Sequence, residues 1–192
     1  MKTQLAIFAS GNGSNAQAIM DACKQGIINA NVAVIITDKS TAFVIERAKK
    51  ENIGYRVFKP KIFVDKAQYE TAILQTLNEF KIDFIVLAGY MRLIGTVLLQ
   101  AFPKKIVNIH PSLLPKYKGL NAVQQALDNN DKELGVTIHY VDEGMDTGEI
   151  IAQEKITIED LNESLDEIMQ KVHNIEHKLY VETLKRILNY KL

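Results

Sequence analysis

The chain has 192 residues, 47% apolar and 24% charged, which is enough for one sizeable core and typical of an ordinary globular protein. Basic and acidic residues number 23 each, so the formal net charge is zero. A neutral chain has no overall field that would attract nucleic acid or an anionic membrane. The single cysteine, Cys23, excludes an intrachain disulfide. We see neither a signal peptide nor a run of 18 apolar residues, and therefore expect a cytoplasmic protein.

Apolar, strand-like runs alternate with helical patterns along the first 110 residues. The predicted strands are 4–9, 32–37, 55–58, 84–88 and 106–109, and the predicted helices are 15–25, 43–50 and 66–80. Strands that are apolar on both faces and alternate with helices indicate an open parallel sheet covered by helices. We therefore predict an α/β fold with an open, mostly parallel, Rossmann-like sheet and helices on both of its faces.

The pattern changes after about residue 118. Two further strands, 136–141 and 150–158, are joined by a glycine-rich loop. Apolar residues at helical spacing then mark one face of a long C-terminal helix, with Ser164 as a candidate N-cap. No linker or repeat interrupts the chain. We predict a single domain over residues 1–192, with a nucleotide-binding-like first part and a smaller C-terminal part.

A glycine loop, residues 10–15 (Ser-Gly-Asn-Gly-Ser-Asn), joins the first strand to the first helix. Glycines let backbone N–H groups approach a phosphate, and a helix N-terminus favours its negative charge. Gly11, Gly13 and Ala16 also fit a dinucleotide fingerprint, with Asp38 at about the right distance to bind a ribose. A third interpretation is a tight turn with Ser14 or Asn15 capping the helix. The loop by itself leaves these three alternatives open.

Asn108 and His110 end a predicted central strand. Residues two apart on a strand point to the same face, so these two side chains lie together, opposite Val107 and Ile109. They also lie at the carboxyl end of the strand, where open α/β sheets bind ligands. An amide beside an imidazole suits acyl transfer, because both donate to a carbonyl oxygen that becomes negative. The alternative is a structural pair bonded to the backbone.

The loop of residues 142–148 carries three carboxylates between the last two predicted strands. A carboxylate from this loop beside His110 would keep that histidine protonated. A metal site and a merely solvated loop are the alternatives. His139 is a rival base, but we interpret it as a histidine packed on the sheet.

The C-terminal helix carries His173 and His177 around Glu176, which matches the inverted zinc-protease pattern. Two histidines one helical turn apart share a face, but a zinc site needs a third protein ligand. We identify no such ligand and predict no metal.

These motifs together resemble the phosphoribosylglycinamide formyltransferase family over essentially the whole chain. The matching segments are the glycine loop at 10–15, Leu-Ala-Gly-Tyr-Met-Arg at 87–92, Asn-Ile-His-Pro-Ser-Leu-Leu-Pro at 108–115, the 142–148 loop, and Glu176-His177 with Leu179-Tyr180. The 108–115 run is specific for folate-dependent formyl transfer. The related methionyl-tRNA formyltransferases and formyltetrahydrofolate deformylases look longer than this chain.

The resemblance implies a formyl transfer from 10-formyltetrahydrofolate, as co-substrate, to the amine of phosphoribosylglycinamide in purine synthesis. It implies a phosphate-binding half over about 1–105 and a catalytic, folate-binding half over about 106–192. The implied catalytic residues are Asn108, His110 and Asp146. Substrate contacts are implied for Gly13, Ser14, Asn15 and Glu176. Folate contacts are implied for Lys66, Met91, Arg92, Leu93, Ile94, Asn108, Asp142, Glu143, Gly144 and Met145.

The implied partners are small molecules, with no metal, nucleic acid or membrane, and the chain is expected to be a monomer or a weak homodimer. A formyltetrahydrofolate hydrolase that uses the same site is the main alternative; a tRNA-formylating enzyme and a non-catalytic binding module are weaker ones. Four residues depart from the common family pattern: Lys118, Asn121, Glu149 and Val181.

Overall fold

The computed structural model describes residues 2–158 and 163–189. Seven strands form one sheet: β1 (Thr3–Phe8), β2 (Ala30–Thr37), β3 (Gly54–Val57), β4 (Phe84–Leu87), β5 (Ile106–His110), β6 (Glu133–Tyr140) and β7 (Ile150–Thr157). Their order across the sheet is β3-β2-β1-β4-β5-β6-β7. β1 to β5 run parallel, whereas β6 and β7 pair antiparallel. The predicted mostly parallel sheet is confirmed.

Six α-helices accompany the sheet in the described ranges: α1 (Ser14–Lys24), α2 (Val44–Lys50), α3 (Lys66–Glu79), α4 (Thr96–Ala101), α5 (Ala122–Asp128) and α6 (Leu165–Asn189). The sequence pattern did not predict α4 and α5, which have six and seven residues. Ser164 caps the long helix as predicted, since its hydroxyl accepts from the Glu167 N–H while the Glu167 carboxylate accepts from the Ser164 N–H.

The side chains of each central strand pack alternately into two separate hydrophobic cores, one on each face of the sheet. On β1, Leu5 and Ile7 face the core that α1, α2, α5 and α6 cover, while Ala6 and Phe8 face the core beneath α3 and α4. All four are completely buried. This two-sided burial explains why the parallel strands have apolar runs instead of apolar–polar alternation.

The chain winds outward in opposite directions from the centre of the sheet. β1 leads to β2 and β3 on one side, and β4 leads to β5 on the other. The two halves of an open sheet therefore separate at the carboxyl ends of β1 and β4, which is where such folds form a ligand crevice. The sheet also continues across the predicted boundary near residue 105, because β4 and β5 pair directly.

The buried hydroxyl of Tyr180 connects α6 to the two strands beside this crevice. Tyr180 is fully buried, and its Oη atom donates to the Leu87 carbonyl at 2.8 Å and lies 3.2 Å from the Val107 carbonyl. It therefore links α6 to the last residue of β4 and to the start of β5. In the described part of the chain, no helix combines the length and apolar character needed to cross a bilayer.

Candidate active site

A cavity of about 1040 Å³ opens at the carboxyl ends of β1, β4 and β5. Its lining comes from residues 10–15, 87–94, 108–111 and 119–124, from the β6–β7 loop, and from one face of α6. That volume is at the upper end for ligand pockets. The glycine loop, the acidic loop and Met91–Ile94 each form part of the lining, and the Met91 N–H donates to Ser10 Oγ of the glycine loop at 2.9 Å.

The glycine loop is held tightly against α2. Gly13 is the residue before α1 and has left-handed backbone angles, with φ 76°. A Cβ atom at this position would lie 2.6 Å from Val44 Cγ2, so only glycine fits between the two helices. Arg47 donates to the Asn12 carbonyl and to its side-chain oxygen. Because the cap is a glycine, neither Ser14 nor Asn15 caps α1, which leaves the Ser14 hydroxyl available at the cavity.

Asn15 and Glu176 connect the loop to α6. The Asn15 amide donates to Glu176 Oε2 at 3.0 Å, although the two residues are 161 positions apart in sequence. Only 6% of Glu176 is exposed. Burial raises the pKa of Glu176, while the Asn15 hydrogen bond and the nearby His173 charge oppose that change without cancelling it.

The second cluster gathers at the end of β5. Asn108 stands directly opposite His139 in the antiparallel pairing of β5 and β6. The Asn108 Nδ2 atom lies 3.3 Å from His139 Nε2 and 3.4 Å from Asp146 Oδ1. As predicted, Asn108 and His110 share a face opposite Val107 and Ile109, which are buried in the core beneath α1 and α6.

Asp146 is the acidic-loop residue that reaches this cluster. Its Oδ2 atom accepts from the Gly119 N–H at 2.8 Å and lies 3.5 Å from His110 Nδ1, while Oδ1 lies 3.5 Å from His139 Nε2. Burial raises the pKa of Asp146, but the contacts with His139 and Gly119 and the charges of both histidines outweigh burial and leave the pKa below its ordinary value. The carboxylate form is therefore favoured.

The orientation of the His110 ring follows from its neighbours. Its Nε2 atom lies 2.8 Å from the Tyr117 carbonyl oxygen, which can only accept, so Nε2 carries a hydrogen. The other ring nitrogen, Nδ1, lies 3.5 Å from Asp146 Oδ2. Nδ1 is therefore the ring nitrogen that faces the acidic loop.

His139 is packed on the sheet, as we interpreted it, and it also contacts the Asn108 cluster. Its ring is buried, with Nδ1 bonded to the Tyr140 carbonyl and Nε2 directed at Asn108 and Asp146. It also lines the cavity. Spacing along β6 did not reveal this, because the contact depends on the antiparallel register with β5. Tyr117 and Gly119 were also missed, since they contribute backbone atoms that a residue-type pattern does not mark.

Most of the predicted folate residues line the main cavity, and Lys66 lines an adjoining pocket. Met91, Arg92, Leu93, Ile94, Asp142, Gly144 and Met145 line the main cavity. Lys66 instead lines an adjoining pocket of about 490 Å³, which shares Met91, Arg92 and Leu93 with the main cavity. Glu143 is not among the lining residues of either space.

The structure does not support the dinucleotide interpretation, because Asp38, the residue expected to bind the ribose, does not line the cavity. Asp38 is not part of the cavity lining, and its Oδ2 atom lies 3.9 Å from Arg92 Nη1. Its side chain is only 7% exposed, so it is not presented to a ribose. Within residues 2–158 and 163–189, no three histidine, cysteine or acidic side chains lie close enough together to hold a metal ion.

Of the four departures from the common pattern, Asn121 lines the cavity, whereas Lys118, Glu149 and Val181 do not. Asn121 takes a left-handed conformation as the N-cap of α5, and Lys118 is exposed beside it. Glu149 lies 3.6 Å from Lys104 on the surface, and Val181 packs against the main core. The Leu114–Pro115 peptide bond, which follows β5, is cis.

Comparison with known proteins agrees with this geometry. Residues 3–184 match the formyl transferase family. A relative from Bacillus subtilis, phosphoribosylglycinamide formyltransferase, is 49% identical over 185 residues, which cover 96% of this chain and 94% of that protein. The chain therefore belongs to the formyl transferase family.

Solved structures point the same way. Phosphoribosylglycinamide formyltransferase from Bacillus halodurans superposes with a TM-score of 0.94 at 50% identity, covering 97% of this chain and 95% of that one. Glycinamide ribonucleotide transformylase 1 from Geobacillus kaustophilus gives a TM-score of 0.94 at 49% identity, covering 98% and 100% of the two chains.

The buried carboxyl of Glu176 predicts a pH-dependent difference in stability. Its pKa is raised in the folded state, so its contribution to stability is complete below the ordinary glutamate pKa and is lost as pH rises through the folded-state pKa. Glu176→Gln cannot ionise and keeps the Asn15 contact. We expect the melting temperature of the variant, relative to wild type, to rise from about pH 4.5 to about pH 8.

Thermal unfolding followed by circular dichroism over this pH range measures the effect. Glu182→Gln, an exposed carboxyl on the same helix, is the control and should show no trend. A constant offset between Glu176→Gln and wild type at every pH would contradict the expected burial penalty.

Proposed function

We propose that this chain transfers the formyl group of 10-formyltetrahydrofolate to the amine of 5-phosphoribosylglycinamide, giving formylglycinamide ribonucleotide and tetrahydrofolate by direct acyl transfer through a tetrahedral intermediate. The observation that carries the proposal is the convergence of Asn108, His110 and Asp146 in a cavity that also contains a glycine loop at a helix N-terminus. Relatives named for this activity, at 36–49% identity over nearly the whole chain, support it.

Asn108 and His110 stabilise the oxygen of the formyl group as it becomes negative. The amide supplies a neutral donor and the imidazolium a charged one, and charge-assisted hydrogen bonds are the stronger kind. His110 Nε2 is already engaged by the Tyr117 carbonyl, so Nδ1 is the nitrogen that serves the substrate. Its contact with Asp146 is long at 3.5 Å, which leaves room for the ring to adjust.

Asp146 keeps His110 charged and takes part in moving the proton from the attacking amine to the folate nitrogen, through a water molecule. Its lowered pKa and its bond from the Gly119 N–H support a carboxylate that is ionised and held in one orientation. No covalent intermediate on the protein is needed.

The acceptor substrate occupies the end of the cavity nearest α1. The free N–H groups of Gly13, Ser14 and Asn15 at the start of α1 bind its phosphate. Glu176 binds its ribose hydroxyls. The Asn15 Oδ1 atom is buried and has no hydrogen-bond partner within residues 2–158 and 163–189, and a ribose hydroxyl would supply the missing donor.

The formyl folate occupies the opposite end. Met91–Ile94 and the 142–146 loop contribute apolar side chains and irregular backbone, which suit a flat heteroaromatic ring with polar edges. Lys66, in the adjoining pocket, is placed to meet the distal part of the molecule. The folate supplies the activated formyl group. The cytoplasmic location and the monomeric or weakly dimeric state stay predictions.

Comparing acceptors tests the function directly. Purified protein is given 10-formyltetrahydrofolate with phosphoribosylglycinamide, with water alone, or with initiator methionyl-tRNA, and tetrahydrofolate release is followed. We expect turnover with phosphoribosylglycinamide only, because the glycine loop provides a phosphate site beside the acyl-transfer cluster. Equal release with water alone would favour the hydrolase.

The catalytic residues are tested by two substitutions. We expect His110→Ala and Asp146→Asn each to lower kcat by roughly a hundredfold or more, since each removes a group that acts in the transition state. Steady-state kinetics measure the loss. Glu149→Gln, an exposed carboxylate just after the same loop, is the control and should keep its turnover. Near-normal turnover in both catalytic variants would remove the basis for these roles.

The phosphate site is tested at Ser14 instead of Gly13, because a side chain at Gly13 would collide with Val44 whether or not phosphate binds there. We expect Ser14→Ala to raise KM for phosphoribosylglycinamide roughly tenfold, the effect of losing one hydrogen bond to a charged group, with KM for the folate unchanged. Ser40→Ala, at an exposed position, is the control.

Calorimetric titration of the wild type with NAD, NADP and phosphoribosylglycinamide completes that test. Micromolar binding of a dinucleotide without binding of phosphoribosylglycinamide would restore the dinucleotide interpretation.

A further inference from the structure

The wall segment, Tyr90–Gly95, joins β4 to α4 and has no regular secondary structure. Five of its residues, 90–94, line the main cavity, and Met91 and Leu93 are more than half exposed. An irregular segment of this kind holds its shape only if its ends are fixed, because it lacks its own ladder of backbone hydrogen bonds. The Met91 N–H donates to Ser10 Oγ of the glycine loop at 2.9 Å. The contacts at the two ends of the segment, Tyr90 and Gly95, come from α3.

Glu70, on α3, fixes the far end. It is 2% exposed, and its Oε1 atom accepts from the Gly95 N–H at 2.5 Å while Oε2 lies 3.4 Å from the Leu98 nitrogen. Gly95 is the N-cap residue of α4 and has no side chain of its own to cap the helix. The Glu70 carboxylate therefore acts as a cap supplied from another helix.

Gly95 is shaped to admit this carboxylate. A Cβ atom on Gly95 would lie 2.8 Å and 2.9 Å from the two Glu70 oxygens and 2.8 Å from Lys66 Cε. The backbone of Gly95 is not left-handed, so it does not need glycine for its own conformation. The glycine is required because Glu70 occupies the space that a side chain would fill.

Tyr69, the neighbour of Glu70 on α3, fixes the near end. Its Oη atom lies 2.5 Å from Tyr90 Oη, and both rings are buried. The Arg92 guanidinium lies over the Tyr69 ring at 5.6 Å from its centroid. α3 therefore holds the wall segment at its start, through Tyr69, and at its end, through Glu70.

We propose that Glu70 is a positioning residue for the formyl folate. It does not reach the cavity. By holding Gly95 against α3, it fixes the backbone of Met91–Ile94 in the arrangement that receives the folate. This inference rests on the proposed function, which assigns the folate to that wall, and it makes the Glu70–Gly95 contact a determinant of folate affinity and not of phosphoribosylglycinamide affinity.

Two substitutions disturb the contact from opposite sides. Glu70→Leu removes both acceptors while keeping the volume, and Gly95→Ala displaces the carboxylate without removing it. We expect each to raise KM for 10-formyltetrahydrofolate roughly tenfold, as expected for a lost hydrogen bond to a charged group, and to change KM for phosphoribosylglycinamide less than twofold. Because both act on one contact, the double variant should be no worse than the poorer single variant.

The conservative variant and a control complete the design. Glu70→Gln keeps an acceptor for the Gly95 N–H, so it should restore folate KM to within about threefold of wild type. Glu79→Gln, exposed at the end of the same helix, should match wild type. If Glu70→Leu fails to fold by circular dichroism, Gly95→Ala decides the question, since it opens no cavity and removes no charge.

Outcomes separate this inference from the proposed function. Equal rises in both KM values, or an unchanged folate KM in folded Gly95→Ala, would overturn the positioning role while the wild type still transfers the formyl group. If the wild type neither binds the folate nor transfers the group, the proposed function itself fails, and the positioning role fails with it.

Discussion

The shape of the site depends on the carboxylate of Asp146, which contacts three separate segments of the chain. Asp146 contacts His110 on β5, His139 on β6 and the Gly119 N–H in the loop before α5. Its own backbone is left-handed, with φ 52°, which is unusual for a residue other than glycine. The surrounding contacts hold it in that conformation, and without them the acidic loop would have no fixed point over the end of β5.

Two buried carboxylates, Glu70 and Glu176, and the partly buried Asp146 have partners of the same kind. Asp146, Glu176 and Glu70 have no lysine or arginine within ion-pair distance in the described ranges, and their contacts are N–H donors, amides and imidazoles. Removing a carboxylate from water is unfavourable unless its oxygens accept hydrogen bonds. Directional donors fix each oxygen in place, whereas a flexible lysine would not. Each of the three carboxylates lies where a cavity wall must keep its shape.

Helices on both faces of the sheet hold the segments that line the cavity. α1 and α6, on one face, carry the glycine loop and Glu176 to the cavity. α3 and α4, on the other face, hold the wall segment. Asn108 and His110 lie on β5. Helices from opposite faces of the sheet therefore hold different parts of the cavity lining.

The sequence alone determined the parallel strands of the sheet and the common face of Asn108 and His110. The alternation of apolar runs and helical patterns predicted the parallel strands, because strands buried on both faces must be apolar throughout. The two-residue spacing of Asn108 and His110 predicted their common face, since a strand repeats every two residues. The glycine loop left three alternatives open, namely a phosphate site, a dinucleotide site and a tight turn, because the same N–H groups and glycines serve all three.

Only the tertiary structure decided the rest. The role of His139 depends on the register between β5 and β6, and a shift of one residue would turn it to the other face. The short helices α4 and α5 are stabilised by their contacts and not by their own repeat. The link between Asn15 and Glu176 spans 161 positions, and Glu70 meets Gly95 from a different helix. Local sequence patterns report on neighbours along the chain, whereas these contacts exist only because the sheet and its helices bring distant segments together.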